Sequence, residues 1–178
     1  MAETSADEQS LVVAALKGDA AAFGRLTAIH QARVRALARR LAGSAADGDD
    51  IAQEAFLIAW KRRADWRGGS FRAWVCTIAY REFLQVRRRG GRMEVVDPED
   101  LESRSQGAAD TSGERMDLQR ALAELEPGER DAIALCLGAG MSHSEAAVAM
   151  GAPLGTVKSW VARGRQKLQA KLSAYETA

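Results

Sequence analysis

Apolar residues recur three or four positions apart along most of this 178-residue chain, and this spacing restricts what it can fold into. It is the spacing of amphipathic helices, in which such residues share one face. In the segment 23–43, for example, Phe23, Leu26, Ile29, Val34 and Leu37 fall broadly along one side. Stretches rich in β-branched residues, which favour strands, are few. The sequence therefore predicts an all-α protein.

One stretch interrupts this pattern. Residues 93–117 contain few large apolar side chains and carry a net charge of −6. Burial cannot offset the entropy of ordering such a segment, so we expect a flexible acidic linker. It would join two small helical domains, a four-helix domain over 1–92 with a net charge of +6 and a second domain over 118–178 with +1.

The second predicted domain has the pattern of a helix-turn-helix. Ser142 and Glu145 have the spacing of a capping box, which predicts that a helix begins just after Ser142. Ala147, Gly151 and Val157 follow in the order of a small residue at a helix crossing, a glycine in the turn and a buried β-branched residue. The second helix of such a pair enters the major groove of DNA. Its outward polar and basic residues are Thr156, Lys158, Ser159, Arg163 and Arg165. Of the basic residues, Arg165 and the following Lys167 and Lys171 are better suited to phosphate than to base contacts. A merely solvated helix face is the alternative.

Three segments resemble a known family, the sigma-70 superfamily of bacterial sigma factors, and above all its small extracytoplasmic-function (ECF) group. The C-terminal segment GTVKSWVARGRQKL, residues 155–168, resembles sigma region four. DGDDIAQEAFLIAW, residues 47–60, resembles the part of region two that docks on RNA polymerase core. FRAWVCTIAYREFLQVRRR, residues 71–89, resembles the helix that follows.

The resemblance implies an alternative sigma factor that binds RNA polymerase core and directs promoter-specific transcription initiation. Residues 1–92 would be region two, residues 118–178 region four, and an anti-sigma factor would hold the free protein inactive. The implied core-binding residues are Asp49, Asp50, Gln53 and Glu54. Helix capping is the alternative role for this acidic cluster, and we expect it of Asp47.

The resemblance also assigns the DNA contacts. A loop containing Gly68 and Gly69, with the helix after it, would hold the unpaired minus-ten strand. The implied minus-ten residues are Arg67, Ser70, Phe71, Arg81, Gln85 and Arg88. The helix-turn-helix would read the minus-thirty-five duplex through the five outward residues from Thr156 to Arg165. Four residues depart from the family pattern, and the first two are Tyr80 and Arg81, which stand where arginine and asparagine are often found. Trp160 stands where arginine is usual, and Gly164, where alanine is usual, should cost about 1 kcal/mol of helix stability.

Two other classes of protein are alternatives to a sigma factor. A stand-alone helix-turn-helix regulator would explain the C-terminal half but leaves the acidic segment around Asp50 without a role. An enzyme is disfavoured because His30 and His143 are the only histidines and neither lies in a catalytic or metal-binding pattern. We therefore expect no catalytic residues, no cofactor and no metal. The absence of a membrane-length apolar run and the acidic start of the chain predict a cytoplasmic protein without membrane insertion.

Overall fold

The computed structural model describes residues 2–89, 118 and 120–176, with side chains over 7–89, 118 and 120–171. The chain forms two compact units, Met1–Leu84 and Gln85–Ala178. All regular structure in the described ranges is helical, so the all-α prediction is confirmed. The predicted linker over 93–117 lies outside these ranges. No helix in the described part of the chain is long and apolar enough to cross a membrane.

The four predicted helices of the N-terminal part are α1 (Ala2–Leu16), α2 (Ala20–Ala42), α3 (Ala45–Lys61) and α4 (Phe71–Arg89), with a 3₁₀ turn at Arg63–Asp65. The first unit contains the first three and α4 as far as Leu84. On α2 the expected apolar side is buried except at Ile29, which is 53% exposed. The neighbouring His30 takes the core position instead. Its ring lies 3.1 Å from a carboxylate oxygen of Glu8 on α1, and burial lowers its pKa. The expectation for Ile29 was wrong because the spacing from Leu26 and Val34 brings position 30, rather than 29, onto the core-facing side.

Helices α2 and α3 pack at very short range where α3 begins. A Cβ atom at Gly48 would overlap the backbone of Arg39 on α2, so glycine is required for this approach. The α3 N-terminus is capped by Ser44, whose hydroxyl accepts a hydrogen bond from the Asp47 N–H at 3.3 Å. The expectation that Asp47 caps this helix was therefore wrong. Ser44 is the last non-helical residue, and Asp47 lies one turn inside the helix.

The second unit is built around a helix-turn-helix. Helix α5 (Pro127–Ile133) continues into a π-helical turn at Ala134–Gly138, followed by α6 (His143–Met150) and α7 (Leu154–Glu176). The Ser142–Glu145 capping box is present at the start of α6, with both reciprocal hydrogen bonds formed. Gly151 has a φ of 62°, a turn conformation that glycine adopts without strain. Val157 is fully buried. The predicted helix-turn-helix is confirmed.

Candidate functional site

An acidic face on α3 is the first candidate surface. Asp50, Gln53 and Glu54 are all exposed, and their spacing with Leu57 places the four on one side of the helix. Leu57 is itself 45% exposed and places an apolar side chain among the charged and polar ones. We call these four residues the α3 face.

The α3 face borders an apolar groove between α2 and α3. The groove has a volume of about 690 Å³, and Gln53 and Leu57 line it together with Phe23, Phe56 and Trp60. Phe23 and Trp60 pack against each other with ring centroids 5.1 Å apart. Sequence reasoning did not identify this aromatic lining, because a four-residue spacing such as that of Phe56 and Trp60 is also typical of core packing.

Asp49 is placed differently from the other three predicted core-binding residues. Its carboxylate accepts hydrogen bonds from Arg39 at 2.7 and 2.6 Å and lies 3.4 Å from Arg35. The hydrogen bond from Arg39 is the main reason that the pKa of Asp49 is lowered. Asp49 therefore ties α3 to α2, while Asp50, Gln53 and Glu54 project from the surface.

The loop before α4 holds two of the predicted minus-ten residues. Arg67 is exposed, and its guanidinium donates to the Ala64 carbonyl at 2.6 Å. Ser70 is also exposed, and its hydroxyl accepts from the Ala73 N–H at 3.2 Å, which caps α4. Between them, Gly68 and Gly69 both have positive φ values and no atoms near where a Cβ would lie. The backbone there is open to close approach by a ligand.

Phe71 is the exception among these residues because it is buried, with 4% exposure. Its ring packs 6.0 Å from Phe23, 5.8 Å from His30 and 5.8 Å from Trp74. It is therefore not available for stacking on a base in this arrangement. The apolar spacing of Phe71 with Val75 and Ile78 was the signal for a core position.

Three further predicted minus-ten residues share one side of α4. Arg81, Gln85 and Arg88 are exposed and separated by four and three positions, which aligns them along the helix. Arg89 donates to the Gln85 side-chain oxygen at 3.3 Å. The result is a basic stripe with one amide at its centre.

Helix α7 presents most of the predicted minus-thirty-five residues to solvent. Val157, Val161 and Leu168 are buried, and this fixes the side of α7 that faces the core. Away from it, Lys158, Ser159, Arg163 and Arg165 are exposed and Thr156 is half-buried. The Ser159 hydroxyl donates to the Gly155 carbonyl at 3.0 Å but keeps its acceptor capacity.

Arg163 has a partner within its own unit. Its Nε donates to one carboxylate oxygen of Glu129 at 2.9 Å, and Lys167 donates to the other at 2.7 Å. The Glu129 side chain is only 3% exposed. The hydrogen bonds from Lys167 and Arg163 lower its pKa. Sequence reasoning missed Glu129 because it is 34 positions from Arg163 and belongs to no local pattern.

Two of the departures from the family pattern, Trp160 and Gly164, lie in one interface, where α7 packs on α5. A Cβ at Gly128 would lie 2.8 Å from Trp160 Cε2, so the indole covers a position that must stay glycine. A Cβ at Gly164 would lie 2.8 Å from Ile133 Cγ1. Trp160 and Gly164 therefore both serve the packing of the recognition helix.

A helix-turn-helix with basic side chains, an acidic face on α3 and a basic stripe along α4 together define a class of protein, a transcription factor that contacts both DNA and a protein partner. Residues 26–93 match the family description of sigma-70 region 2, and residues 115–168 match that of sigma-70 region 4. The chain thus belongs to the sigma-70 family, in its ECF group. It is an alternative sigma factor that binds RNA polymerase core and directs transcription from promoters.

Similar proteins agree with this family. The sigma factor NccH of Alcaligenes xylosoxydans xylosoxydans is 34% identical over 98% of this chain and 98% of its own length. The ECF sigma factor SigE of Mycolicibacterium smegmatis is 36% identical over 90% of this chain, which spans 66% of that relative. Among solved structures, the sigma factor RpoE of Bartonella quintana, in complex with the anti-sigma factor NepR, has a TM-score of 0.70. Its identity is 29%, over 85% of this chain and 96% of that one. A stand-alone regulator would not explain the region 2 match.

Proposed function

We propose that the two units make separate contacts during initiation. The predicted domain 1–92 binds RNA polymerase core and the unpaired minus-ten strand, and the predicted domain 118–178 reads the minus-thirty-five duplex. The acidic segment 93–117 connects them. The protein acts by binding rather than by catalysis, and it acts in the cytoplasm, where its polymerase partner works.

The α3 face carries the proposal for core binding. An exposed leucine next to an apolar groove, bordered by carboxylates, suits a protein partner with an apolar centre and a basic margin. Asp50, Gln53 and Glu54 would make the polar contacts there. We assign Asp49 a supporting role, because its carboxylate already holds α3 against α2 through Arg39.

The minus-ten contacts follow the loop and the exposed side of α4. Arg67 and Ser70 stand at the loop, where the two glycines leave the backbone accessible. Arg81 and Arg88 supply positive charge along α4, and Gln85 between them offers hydrogen bonds to a base edge. In this proposal the buried Phe71 supports the loop from the core side.

The minus-thirty-five contacts come from α7. Lys158 and Ser159 are exposed near the start of the helix, which is the part of a recognition helix that reaches base edges. Arg165 is exposed about two turns further along and suits a phosphate contact. Thr156 borders them. Arg163 is exposed over 55% of its side chain but shares its charge with Glu129.

We also propose an anti-sigma partner for the free protein. The similar RpoE of Bartonella quintana was solved in complex with the anti-sigma factor NepR. In this chain the groove between α2 and α3 offers the apolar surface that such a partner needs.

In vitro transcription tests the proposal. The protein is added to sigma-free RNA polymerase core with a pooled promoter library, and core affinity is measured in parallel. We expect start sites that share two spaced upstream elements, and we expect Asp50→Ala to weaken core binding by about tenfold, the effect of losing one good interfacial contact. Asp7→Ala, an exposed carboxylate on α1, is the matched control. A wild-type protein that shifts duplex DNA alone but gives no transcript with core would contradict the proposal.

A further inference from the structure

The basic residues of α7 fall into two sets with different surroundings. Arg163, Lys167 and Lys171 recur every four positions, and each is ion-paired to a carboxylate outside α7. Arg163 and Lys167 share Glu129, and Lys171 pairs with Glu124 at 2.7 Å. We call these three the paired stripe. Lys158 and Arg165, seven positions apart on another side of the helix, form no ion pair with any residue the structure describes.

Glu129 differs from Glu124 in burial. The Glu129 side chain is 3% exposed and uses both oxygens, whereas Glu124 is 54% exposed. A buried carboxylate needs cationic partners because it has left water, so removing them is costly. An exposed ion pair contributes little to stability, and each of its members exchanges its partner readily for other ions. Arg163 and Lys167 are therefore held firmly, and Lys171 is not.

We propose that Glu129 is a positioning residue that withholds the charges of Arg163 and Lys167 from DNA. The buried carboxylate occupies the place that a phosphate would take beside these two cations. Phosphate contacts then fall to Lys158 and Arg165, so that α7 engages DNA along the edge that carries them and sequence-independent affinity stays low. This inference rests on the proposed role of α7 in reading the minus-thirty-five duplex.

The salt dependence of DNA binding measures this effect. Each cation that neutralises a phosphate releases counterions, and the slope of log affinity against log salt changes by about 0.9 per contact. Glu129 offsets only one of the two positive charges, but in this proposal it holds both side chains at its carboxylate and away from the phosphates, so each contributes little to the slope. A change in fold alone would not alter the salt slope when one arginine is replaced and leave it unaltered when a neighbouring arginine is replaced.

The decisive comparison uses two arginines of the same helix. The full-length wild type, Arg163→Gln and Arg165→Gln are titrated against a random-sequence DNA duplex by fluorescence anisotropy between 25 and 200 mM KCl. We expect Arg165→Gln to make the slope less negative by about 0.9 and Arg163→Gln to leave it unchanged. Both variants keep a folded unit, because Lys167 still neutralises Glu129 when Arg163 is replaced. An equal loss of slope in the two variants overturns the inference.

Glu129→Gln gives the converse test. Release of Arg163 and Lys167 should make the slope more negative by up to about 1.8, for two added phosphate contacts. Glu124→Gln, the same change in the exposed pair, should leave the slope as in the wild type. A Glu129→Gln protein that is helical by circular dichroism but has the wild-type slope, or binds no better than wild type at 25 mM KCl, contradicts the inference.

Transcription with polymerase core separates this inference from the proposed function. The wild type could give promoter-specific transcripts while the salt slopes of the variants show one of the contradicting results above. In that case Glu129 does not withhold the two cations, and the proposed role of α7 in reading the minus-thirty-five duplex stands. If transcripts depend on no upstream element, the proposed role of α7 itself fails.

Discussion

At the scale of single residues, Gly48 is where the first unit tolerates a change least. Its missing side chain lets α3 lie on the backbone of Arg39. We expect Gly48→Ala to lower the free energy of unfolding by about 1–3 kcal/mol, the cost of overpacking, even though alanine favours helix. Urea unfolding followed by circular dichroism measures this.

Gly24→Ala is the matched control for that change. Gly24 lies within α2 with nothing within 4 Å of where its Cβ would be. Replacing it should stabilise the unit by up to about 1 kcal/mol through helix propensity alone. Similar effects at the two glycines would show that Gly48 is not a steric contact.

A second residue-scale prediction concerns pH. The pKa of Glu129 is lowered below its ordinary value of 4.5 by Lys167 and Arg163. As pH falls, the unfolded chain therefore takes up this proton before the folded chain does. The stabilisation from Glu129 is complete above about pH 4.5 and is lost as pH falls through the lowered pKa.

Hydrogen exchange of the α7 amides over pH 3–6, with intrinsic rates corrected, tests this in the full chain. Glu129→Gln should lower protection at pH 6 by on the order of 1–3 kcal/mol, since it loses hydrogen bonds to two charged groups. The difference from wild type should shrink toward pH 3. A difference that stays constant with pH would mean that the carboxylate charge is not responsible.

At the scale of elements, the packing of α7 on α5 decides why Gly164 is there. Alanine at position 164 should gain about 1 kcal/mol of helix propensity. The new Cβ would, however, lie 2.8 Å from Ile133 Cγ1. We expect Gly164→Ala to destabilise the wild type by about 1 kcal/mol, since overpacking exceeds the propensity gain.

A double-mutant cycle with Ile133→Ala tests that explanation. Once the isoleucine is shortened, Gly164→Ala should become stabilising by about 1 kcal/mol, so the sign of its effect reverses. Thermal unfolding of the four proteins gives the coupling. Additive effects would mean that Gly164 serves something other than the contact with Ile133.

Elements whose signals are local were predictable from the sequence. The four helices of the N-terminal part, the capping box at Ser142 and the turn at Gly151 each depend on residues within a few positions. The α3 N-cap was assigned to the wrong residue because serine and aspartate are both good N-cap residues. The path of the preceding loop decides that Ser44, rather than Asp47, takes the N-cap position.

Features that depend on tertiary packing were not predictable in this way. Glu129 meets Arg163 across 34 positions, and Asp49 meets Arg39 across 10. Nothing in their local sequence distinguishes a paired charge from a solvated one. For the same reason Trp160 and Gly164 look like unexplained departures until α5 is placed beside α7.

At the scale of the whole molecule, the surfaces proposed for polymerase and for duplex DNA belong to different compact units. The α3 face and its groove are in the first unit, and the exposed edge of α7 is in the second. No single residue is assigned to both tasks. Core affinity and the choice of upstream promoter element should therefore change independently.

This separation gives a prediction about promoter ranking. Asp50→Ala weakens the contact with core, which is common to every promoter, so transcript levels from a promoter library should fall by one shared factor and keep their order. Ser159→Ala removes a contact to a base edge of the upstream duplex, at a cost that depends on the sequence there and is about 1 kcal/mol at matched sites. It should reorder the promoters, with the largest losses at those that have the preferred upstream element. Sequencing the transcripts of both variants at a polymerase core concentration below saturation distinguishes the two patterns. If Asp50→Ala also reorders the promoters, the acidic face takes part in DNA selection and the division of labour between the units does not hold.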